Sequence, residues 1–519
     1  MGAPVPHHRS SSPLDRRILV IGADGLRPDL IDPILMPHVA ALAAGGARSA
    51  DHHAVWPTHT RVNMSALATG TVPGRHGIVA NTMLVPGATE DDIIDTANFR
   101  HLDALDRFSG GHVLLADDLG SILAAHGARL AVAGTGSGGS NLLWTPHHRS
   151  RIVNTNTAFA IADLYDLREK LGEIPDPATP DTARISYAVR AVIDLYLPDP
   201  DNRVIVLWFA EPDSSLHKHG LGSPESRAAM QAVDAAAGRI LDALDRMDIR
   251  DQMDVLFLSD HGHSTIRAHR TLRDALIEAE RDLGRGSLPP LATASDYVYP
   301  EPGTPPPSAA RLRPLVEWLT AQPWSDLVLA PEALARQLPG VLPLEPLWNG
   351  HINDRAPLLA VSPQWTHDRN IHDVPGTVAA LTTQSALKSS HGSASPYDLH
   401  ATLIANGPSF REGITGPLPT GATDLLPTIL TILGLPVPPG RDGRVLAELL
   451  RDPARAPQDE AVDETLGPVH APVNGSHAGA VHLHRVGTTT YVHGADGGSG
   501  TAPFIAAPPA TPRTGDARS

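Results

Sequence analysis

Short apolar runs that stop abruptly in polar or glycine-containing turns set the rhythm of this chain. Residues 17–22 run into Ala23-Asp24, residues 204–210 into Glu211-Pro212-Asp213, and residues 255–258 into Ser259-Asp260-His261-Gly262. None alternates apolar with polar positions, which predicts strands buried on both faces of a sheet. Between them lie stretches with helical spacing. Over residues 223–247, Met230, Val233, Ala237, Ile240 and Leu244 recur three to four positions apart, one apolar face of a helix. Strands alternating with helices predict an α/β fold with a central, mostly parallel sheet flanked by helices on both faces.

The pattern changes over residues 270–383. Pro300, Pro302, Pro305, Pro306 and Pro307 crowd this segment, residues 314–321 predict a short helix, and no run matches the buried strands before it. It reads as an inserted cap or lid between two parts of one core, residues 15–269 and 384–452. Core patterning returns at 400–406, in a predicted helix at 424–433, and at 442–450. Residues 453–519 are rich in Ala, Pro, Gly and Thr and read as a tail, with an alternating piece at 480–493 suited to a small hairpin.

Composition narrows the function. With 41% hydrophobic and 19% charged residues the chain is globular. A formal charge of −16 argues against a nucleic-acid backbone as partner. There is no cysteine, so any metal must be held by carboxylates, histidines or hydroxyls. No stretch reaches the roughly 18–20 apolar residues of a membrane span. The run after Arg16-Arg17 is too short for a signal sequence, so a cytoplasmic protein is expected.

In an open parallel sheet, ligands bind beyond the carboxyl ends of the strands. Three predicted strands end in such groups: Asp24, then Asp213 with His217, then Asp260-His261. Singly each has an ordinary reading as a turn, a cap or a solvated helical pair. Together they predict oxygen and imidazole ligands gathered at one edge, which suits zinc, manganese or iron. Thr60, in Trp56-Pro57-Thr58-His59-Thr60, precedes a helix-like run at 62–68. A helix N-terminus favours phosphate oxygens, although Thr58 or Thr60 there also serves as a plain N-cap. As a nucleophile, a threonine hydroxyl needs a metal to stabilise its alkoxide.

In this order the motifs resemble the type I phosphodiesterase/nucleotide pyrophosphatase branch of the alkaline phosphatase superfamily. The resemblance rests on Asp24-Gly25-Leu26-Arg27-Pro28, on Pro57-Thr58-His59-Thr60 with Asn63, and on the stretch from Thr69-Gly70 through His76-Gly77-Ile78 to Asn81. It continues with Glu211-Pro212-Asp213 through His217 to Gly220, Ser259-Asp260-His261-Gly262, and Ser390-His391-Gly392. It covers residues 15–265 and about 387–450. It implies two divalent metals, zinc in most members. One would be held by Asp213, His217 and His391, and the other by Asp24, Asp260 and His261 with the Thr60 oxygen. Thr60 would attack phosphorus in a small phosphate ester, giving a phosphothreonine that water then hydrolyses, while Asn81 donates its amide to a phosphoryl oxygen.

One departure stands out. Nucleotide-cleaving members usually carry an aromatic directly after the nucleophile, and here Arg61 stands there, suited to a second phosphate or a carboxylate. Trp56, or Trp144 on a glycine-rich loop, is the remaining candidate for a stacking surface. His263 is placed one layer behind the ligands, and the pairs His52-His53 and His147-His148 are read as surface or supporting groups. A phosphodiesterase or nucleotide pyrophosphatase is expected. A phosphomonoesterase or phosphonate hydrolase on the same scaffold is the nearest rival, and a non-catalytic metal-binding protein is the alternative of another kind. A sulfatase is disfavoured, since its usual nucleophile precursor is a cysteine.

Overall fold

A computed structural model describes residues 16–157, 167–452, 460–472 and 479–496. Residues 1–15 and 158–166 and the tail stretches 453–459, 473–478 and 497–519 lie outside the described residues. The centre is a sheet of eight strands: β1 (Arg17–Asp24), β2 (Ala47–Ser49), β3 (Arg129–Gly134), β4 (Ile152–Asn154), β5 (Asn202–Pro212), β6 (Met253–Leu258), β7 (Leu403–Asn406) and β8 (Ile414–Gly416). Their order is β8-β2-β7-β6-β1-β5-β3-β4. Strand β7 runs antiparallel to both neighbours, and the other pairings are parallel.

Strand β1 shows why its run is unbroken. Ile18 and Val20 pack into the core on one face with Val62, Met64 and Leu426, while Leu19, Ile21 and Ala23 pack into the core on the other with Val233, Ile240 and Leu244. A strand covered on both sides needs apolar residues at every position. Helices Pro37–Gly45, Thr182–Arg190 and Pro224–Arg246 cover one face, and Thr60–Thr69, Leu119–Ala125 and Leu425–Ile432 cover the other.

The segment between 272 and 381 differs from the sequence reading, because it does contain buried strands. Ser325–Ala330 and Leu359–Pro363 pair at the centre of a five-stranded sheet with Leu291–Ala294, Tyr297–Pro300 and Val341–Pro343. Leu327, Leu329 and Ala360 on one face join the main core, and Val328, Ala330, Leu359 and Val361 on the other pack with helices Leu272–Leu283 and Ala309–Thr320. The helix expected to begin at Pro314 starts five residues earlier, with Leu312, Leu315, Val316 and Leu319 buried. Burial of that face outweighs the cost of a proline inside the helix.

Two smaller sheets position side chains. Ser264–Arg270 and Ser389–Ser390 pair antiparallel, Ser264 opposite Ser390, which brings the residues just before 264 against those just after 390. Val481–Val486 and Thr489–Ala495 form a hairpin, with Ala461–Leu466 as a third strand. Among the described residues no helix is long and apolar enough to cross a membrane.

Candidate active site and metal centre

Strands β6, β1 and β5 lie side by side and parallel, so their carboxyl ends share one edge. Asp24 ends β1 opposite Pro212 of β5, and Asp213 opens the helix Asp213–His219 that follows. Asp260 and His261 follow β6 directly. Gly25 permits this crowding. It has φ +71°, and a Cβ there would lie 2.8 Å from His263 and 3.2 Å from the Cβ of Asp213, so a side chain would force the carboxylates apart.

Thr60 is the first residue of helix Thr60–Thr69, 5% exposed. Its Oγ1 lies 3.2 Å from His261 Nε2. The same nitrogen is 3.4 Å from Asp24 Oδ1 and 3.3 Å from Asp260 Oδ2. Around Asp213 Oδ1 stand His263 Nε2 at 2.7 Å, His217 Nε2 at 3.3 Å and His391 Nε2 at 3.6 Å. The predicted ligands Asp24, Thr60, Asp213, His217, Asp260, His261 and His391 therefore converge.

Two overlapping sets bring their ligand atoms within 4.8 Å of one another: Asp24, Asp260 and His261, and Asp213, His261, His263 and His391. The histidines are set up to bind. His217 Nδ1 faces the Ser389 carbonyl at 2.7 Å, His391 Nδ1 the Thr58 carbonyl at 2.7 Å, and His261 Nδ1 the Gly262 carbonyl at 2.9 Å. A carbonyl only accepts, so each Nδ1 carries the proton and each Nε2 turns a lone pair inward. Asp24 Oδ1 and Asp260 Oδ2 are buried and accept no hydrogen bond among the described residues. Such orphaned oxygens fit divalent cations.

The electrostatics agree. Burial pushes Asp24 well above the ordinary carboxylate range, and Asp260 and Asp213 push it further. Asp260 is raised, first by burial and then by Asp213. Burial alone would raise Asp213 too, yet His217, His263 and His391 hold it well below that range. Burial lowers His261 and His391, which favours the neutral, ligating form of each. Three carboxylates packed at one edge, with Arg61 the arginine that their charges act on and histidines as the other neighbours, gain from cations that let them stay ionised together.

Asn81 lies beside the nucleophile. Its Oδ1 accepts the backbone N–H of Arg61 at 3.2 Å, which directs the other end of the amide away from that N–H. Arg61 is half-buried, its Nε 3.5 Å from Thr96 Oγ1. Burial lowers its pKa, against the opposing pull of Asp95, Asp24, Asp213 and Asp260.

Trp144 is fully buried, its ring 6.1 Å from that of Trp208. Gly138–Leu142, read as a loop, is a short helix that tucks the indole into the core, so it offers no face to a ligand. Trp56 is 1% exposed and equally unable to stack. His52 and His53 are buried, not superficial. His263 sits in the site itself, with Nε2 on Asp213 and Nδ1 unpaired among the described residues; the signal was the bare spacing, two positions past His261.

Sequence reasoning missed several supporting residues. Asn63, quoted only as part of a motif, is fully buried and braces the nucleophile loop: Oδ1 accepts from Val55 N at 2.7 Å, and Nδ2 donates to His59 O at 3.1 Å. Arg27 holds the His263 carbonyl at 3.1 Å and the Pro375 carbonyl at 2.8 Å. Asp398 Oδ1 accepts from Ser264 Oγ at 2.6 Å and its Oδ2 from Ser393 N at 3.2 Å, knotting the loops of His263 and His391. Asp296, more than two hundred positions from the nucleophile, stands 3.6 Å from His59 Nε2. Gly392, at φ +115°, leaves room for that imidazole, since a Cβ would lie 2.8 Å from His59 Nε2.

The family model for type I phosphodiesterase/nucleotide pyrophosphatase matches residues 18–394, and so runs through the segment that the motifs alone do not reach. The chain is 34% identical over 80 residues (15% of its length) to human ectonucleotide pyrophosphatase/phosphodiesterase family member 7, and 24% identical over 255 residues (49%) to a venom phosphodiesterase of Naja atra. The matched stretches span 18% and 27% of those relatives' own length. The solved structure of murine ectonucleotide pyrophosphatase/phosphodiesterase 5, an inactive threonine-to-alanine variant in complex with AMP, superposes with a TM-score of 0.59 at 19% identity, covering 84% of this chain and 100% of that one. That likeness establishes the alkaline phosphatase-like α/β fold. With these matches and the convergent ligands, the chain belongs to the type I phosphodiesterase/nucleotide pyrophosphatase family.

Proposed function

We propose that this protein is a hydrolase of phosphodiester or nucleotide pyrophosphate bonds, with Thr60 as nucleophile and two divalent metal ions, zinc by preference. The observation that carries the reading is the Thr60 hydroxyl 3.2 Å from His261 Nε2, at an edge where Asp24, Asp213 and Asp260 converge. Asp213, His217 and His391 would hold one ion, with His263 against the same carboxylate, and Asp24, Asp260, His261 and Thr60 the other. When bound, such ions supply Lewis acidity at the phosphoryl group and lower the pKa of the hydroxyl they touch.

The chain's own residues do the rest. Thr60 Oγ gives up its proton and attacks phosphorus in line with the departing alcohol or nucleotide, whose bond to phosphorus breaks, leaving a phosphothreonine that still carries the substrate's other ester group. Water then attacks the same phosphorus, the Thr60–phosphorus bond breaks, and a phosphomonoester leaves. The helix N-terminus beneath Thr60 favours the anionic phosphoryl group. Asn81, anchored through Oδ1, offers its Nδ2 to a phosphoryl oxygen, a donor fixed before the reaction begins. Arg61 adds a positive charge for a second anionic group of the substrate. The family description and the AMP complex of the murine neighbour support a nucleotide-like substrate.

The test compares bis(p-nitrophenyl) phosphate, p-nitrophenyl phosphate, a nucleotide pyrophosphate and a phosphonate on zinc-reconstituted protein. Higher kcat/KM for the diester or pyrophosphate is expected. A preference for p-nitrophenyl phosphate would make the protein a phosphomonoesterase on the same scaffold, and a preference for the phosphonate a phosphonate hydrolase.

A further inference from the structure

A second cluster of histidines lies outside the candidate active site. Asp51 and His53 come from the segment preceding the nucleophile loop, His400 from the short strand paired with it, and His484 and His493 from the two strands of the C-terminal hairpin. Around Asp51 Oδ1 stand His53 Nε2 at 3.1 Å, His400 Nε2 at 3.4 Å and His493 Nδ1 at 3.7 Å, and His484 Nε2 is 3.5 Å from Asp51 Oδ2. His493 Nδ1 is also 3.0 Å from His53 Nε2 and 3.3 Å from His400 Nε2.

Two of the rings are oriented as ligands. His53 Nδ1 lies 3.0 Å from the Thr420 carbonyl, and His484 Nδ1 lies 2.7 Å from the Asp463 carboxylate. Each Nδ1 therefore carries its proton outward, and each Nε2 turns toward Asp51, the outer-partner arrangement usual for metal-bound imidazole. Ring nitrogens and a carboxylate drawn this close need protons or a cation among them. The spacing suits a cation: ligand atoms about 2.0–2.1 Å from a tetrahedral ion lie roughly 3.3 Å from one another, the six separations given above run from 3.0 to 3.7 Å, and the ligand atoms of Asp51, His53, His484 and His493 all lie within 4.8 Å of one another.

We propose that Asp51, His53, His484 and His493, with His400 beside them, bind a divalent first-row transition metal ion that clamps the C-terminal hairpin to the core. Imidazoles with one carboxylate and no thiolate favour zinc, nickel or copper over magnesium or calcium. The role is structural. The hairpin's other polar attachments to the core are single hydrogen bonds, among them Tyr491 OH to Asp424 Oδ2 at 2.9 Å, Thr489 Oγ1 to the Asp442 carbonyl at 2.9 Å, Arg444 Nε to Tyr491 OH at 3.0 Å and Ala495 N to Ala394 O at 2.9 Å. A metal joining four separate segments would hold it far more firmly.

The test is metal stoichiometry on the full chain, dialysed against Zn2+, desalted and measured by plasma emission. His484→Ala/His493→Ala is expected to carry one equivalent of zinc fewer than the parent, while turnover of bis(p-nitrophenyl) phosphate, where the parent shows any, stays within about twofold. Independently of how that variant folds, Asp24→Ala/Asp213→Ala, which dismantles the other centre, is expected to retain one equivalent, and that equivalent should survive a large excess of Mg2+. Equal zinc content in the parent and the histidine variant, or no zinc on the aspartate variant, overturns the proposal.

Discussion

His391 Nδ1 lies 2.7 Å from the carbonyl oxygen of Thr58, joining positions 333 residues apart two steps before the nucleophile. The contact does two things. It fixes the imidazole tautomer so that Nε2 faces Asp213, and it ties the loop carrying Thr60 to the loop carrying the last histidine. These roles separate by substitution, because an asparagine amide can donate to Thr58 much as Nδ1 does but offers no Nε2. His391→Asn is expected to keep thermal stability near that of the parent in metal-free buffer while losing one zinc equivalent. His391→Ala should lose the metal and also melt lower, by roughly the 1 kcal/mol of one hydrogen bond. Equal metal content in His391→Asn and parent, by plasma emission, would remove His391 from the ligand set.

Thr60→Ala removes the hydroxyl and leaves Asp24, Asp260 and His261 in place. Turnover of bis(p-nitrophenyl) phosphate should fall at least about a thousandfold, as expected when a covalent nucleophile is lost, with both zinc ions retained. Rapid quenching of the parent with a slow diester should trap the phosphoryl group, still bearing its remaining ester, on Thr60, found by mass spectrometry of the peptide. Unchanged turnover in Thr60→Ala refutes the assigned chemistry.

Asn63 acts on the nucleophile from behind. Its side chain satisfies Val55 N and bonds the carbonyls of Val55, Pro57 and His59. Asn63→Ala takes the side-chain acceptor from the partly buried Val55 N–H, while the Pro57 and His59 carbonyls keep their backbone donors His59 N and Asn63 N, at a cost on the order of 1–3 kcal/mol. The variant should melt several degrees lower and lose kcat more than it raises KM, because Thr60 is less well placed whether or not substrate is bound. Loss of stability with kcat intact would make Asn63 a packing residue only.

Much of this site was readable because its carboxylates follow strands whose burial is written locally. Asp24, Asp213 and Asp260 each end an apolar run, and parallel topology places such ends together. His391 follows no comparable run; only its motif marked it. The strands Ser325–Ala330 and Leu359–Pro363 were hidden because they are short and lie in a proline-rich stretch, and their alternate residues serve two different cores. Trp144 misled for a local reason, since glycines at 136, 138 and 139 suggest a loop where close packing instead forms a helix. The cluster around Asp51 was not legible at all. Its members are spread from 51 to 493, and only the docking of the hairpin gathers them.

Asp398 links stability to pH. Its carboxyl is fully buried, and burial raises its pKa to about 7 despite hydrogen bonds from Ser264 and Ser393. An unfolded aspartate titrates near 3.9, so the folded state binds a proton that the unfolded state has released over the interval between. The stabilisation is complete below about pH 4 and is lost as pH rises through 7. Asp398→Asn cannot ionise and escapes that loss. Measured by urea denaturation, its stability relative to the parent should improve by roughly 2–3 kcal/mol between pH 5 and pH 8. Using the difference between two proteins cancels the other titrating groups they share, including the metal ligands. A gap that is flat across that interval would mean Asp398 stays ionised within its ring of serines, and the loops bearing His263 and His391 are then held by a charged carboxylate.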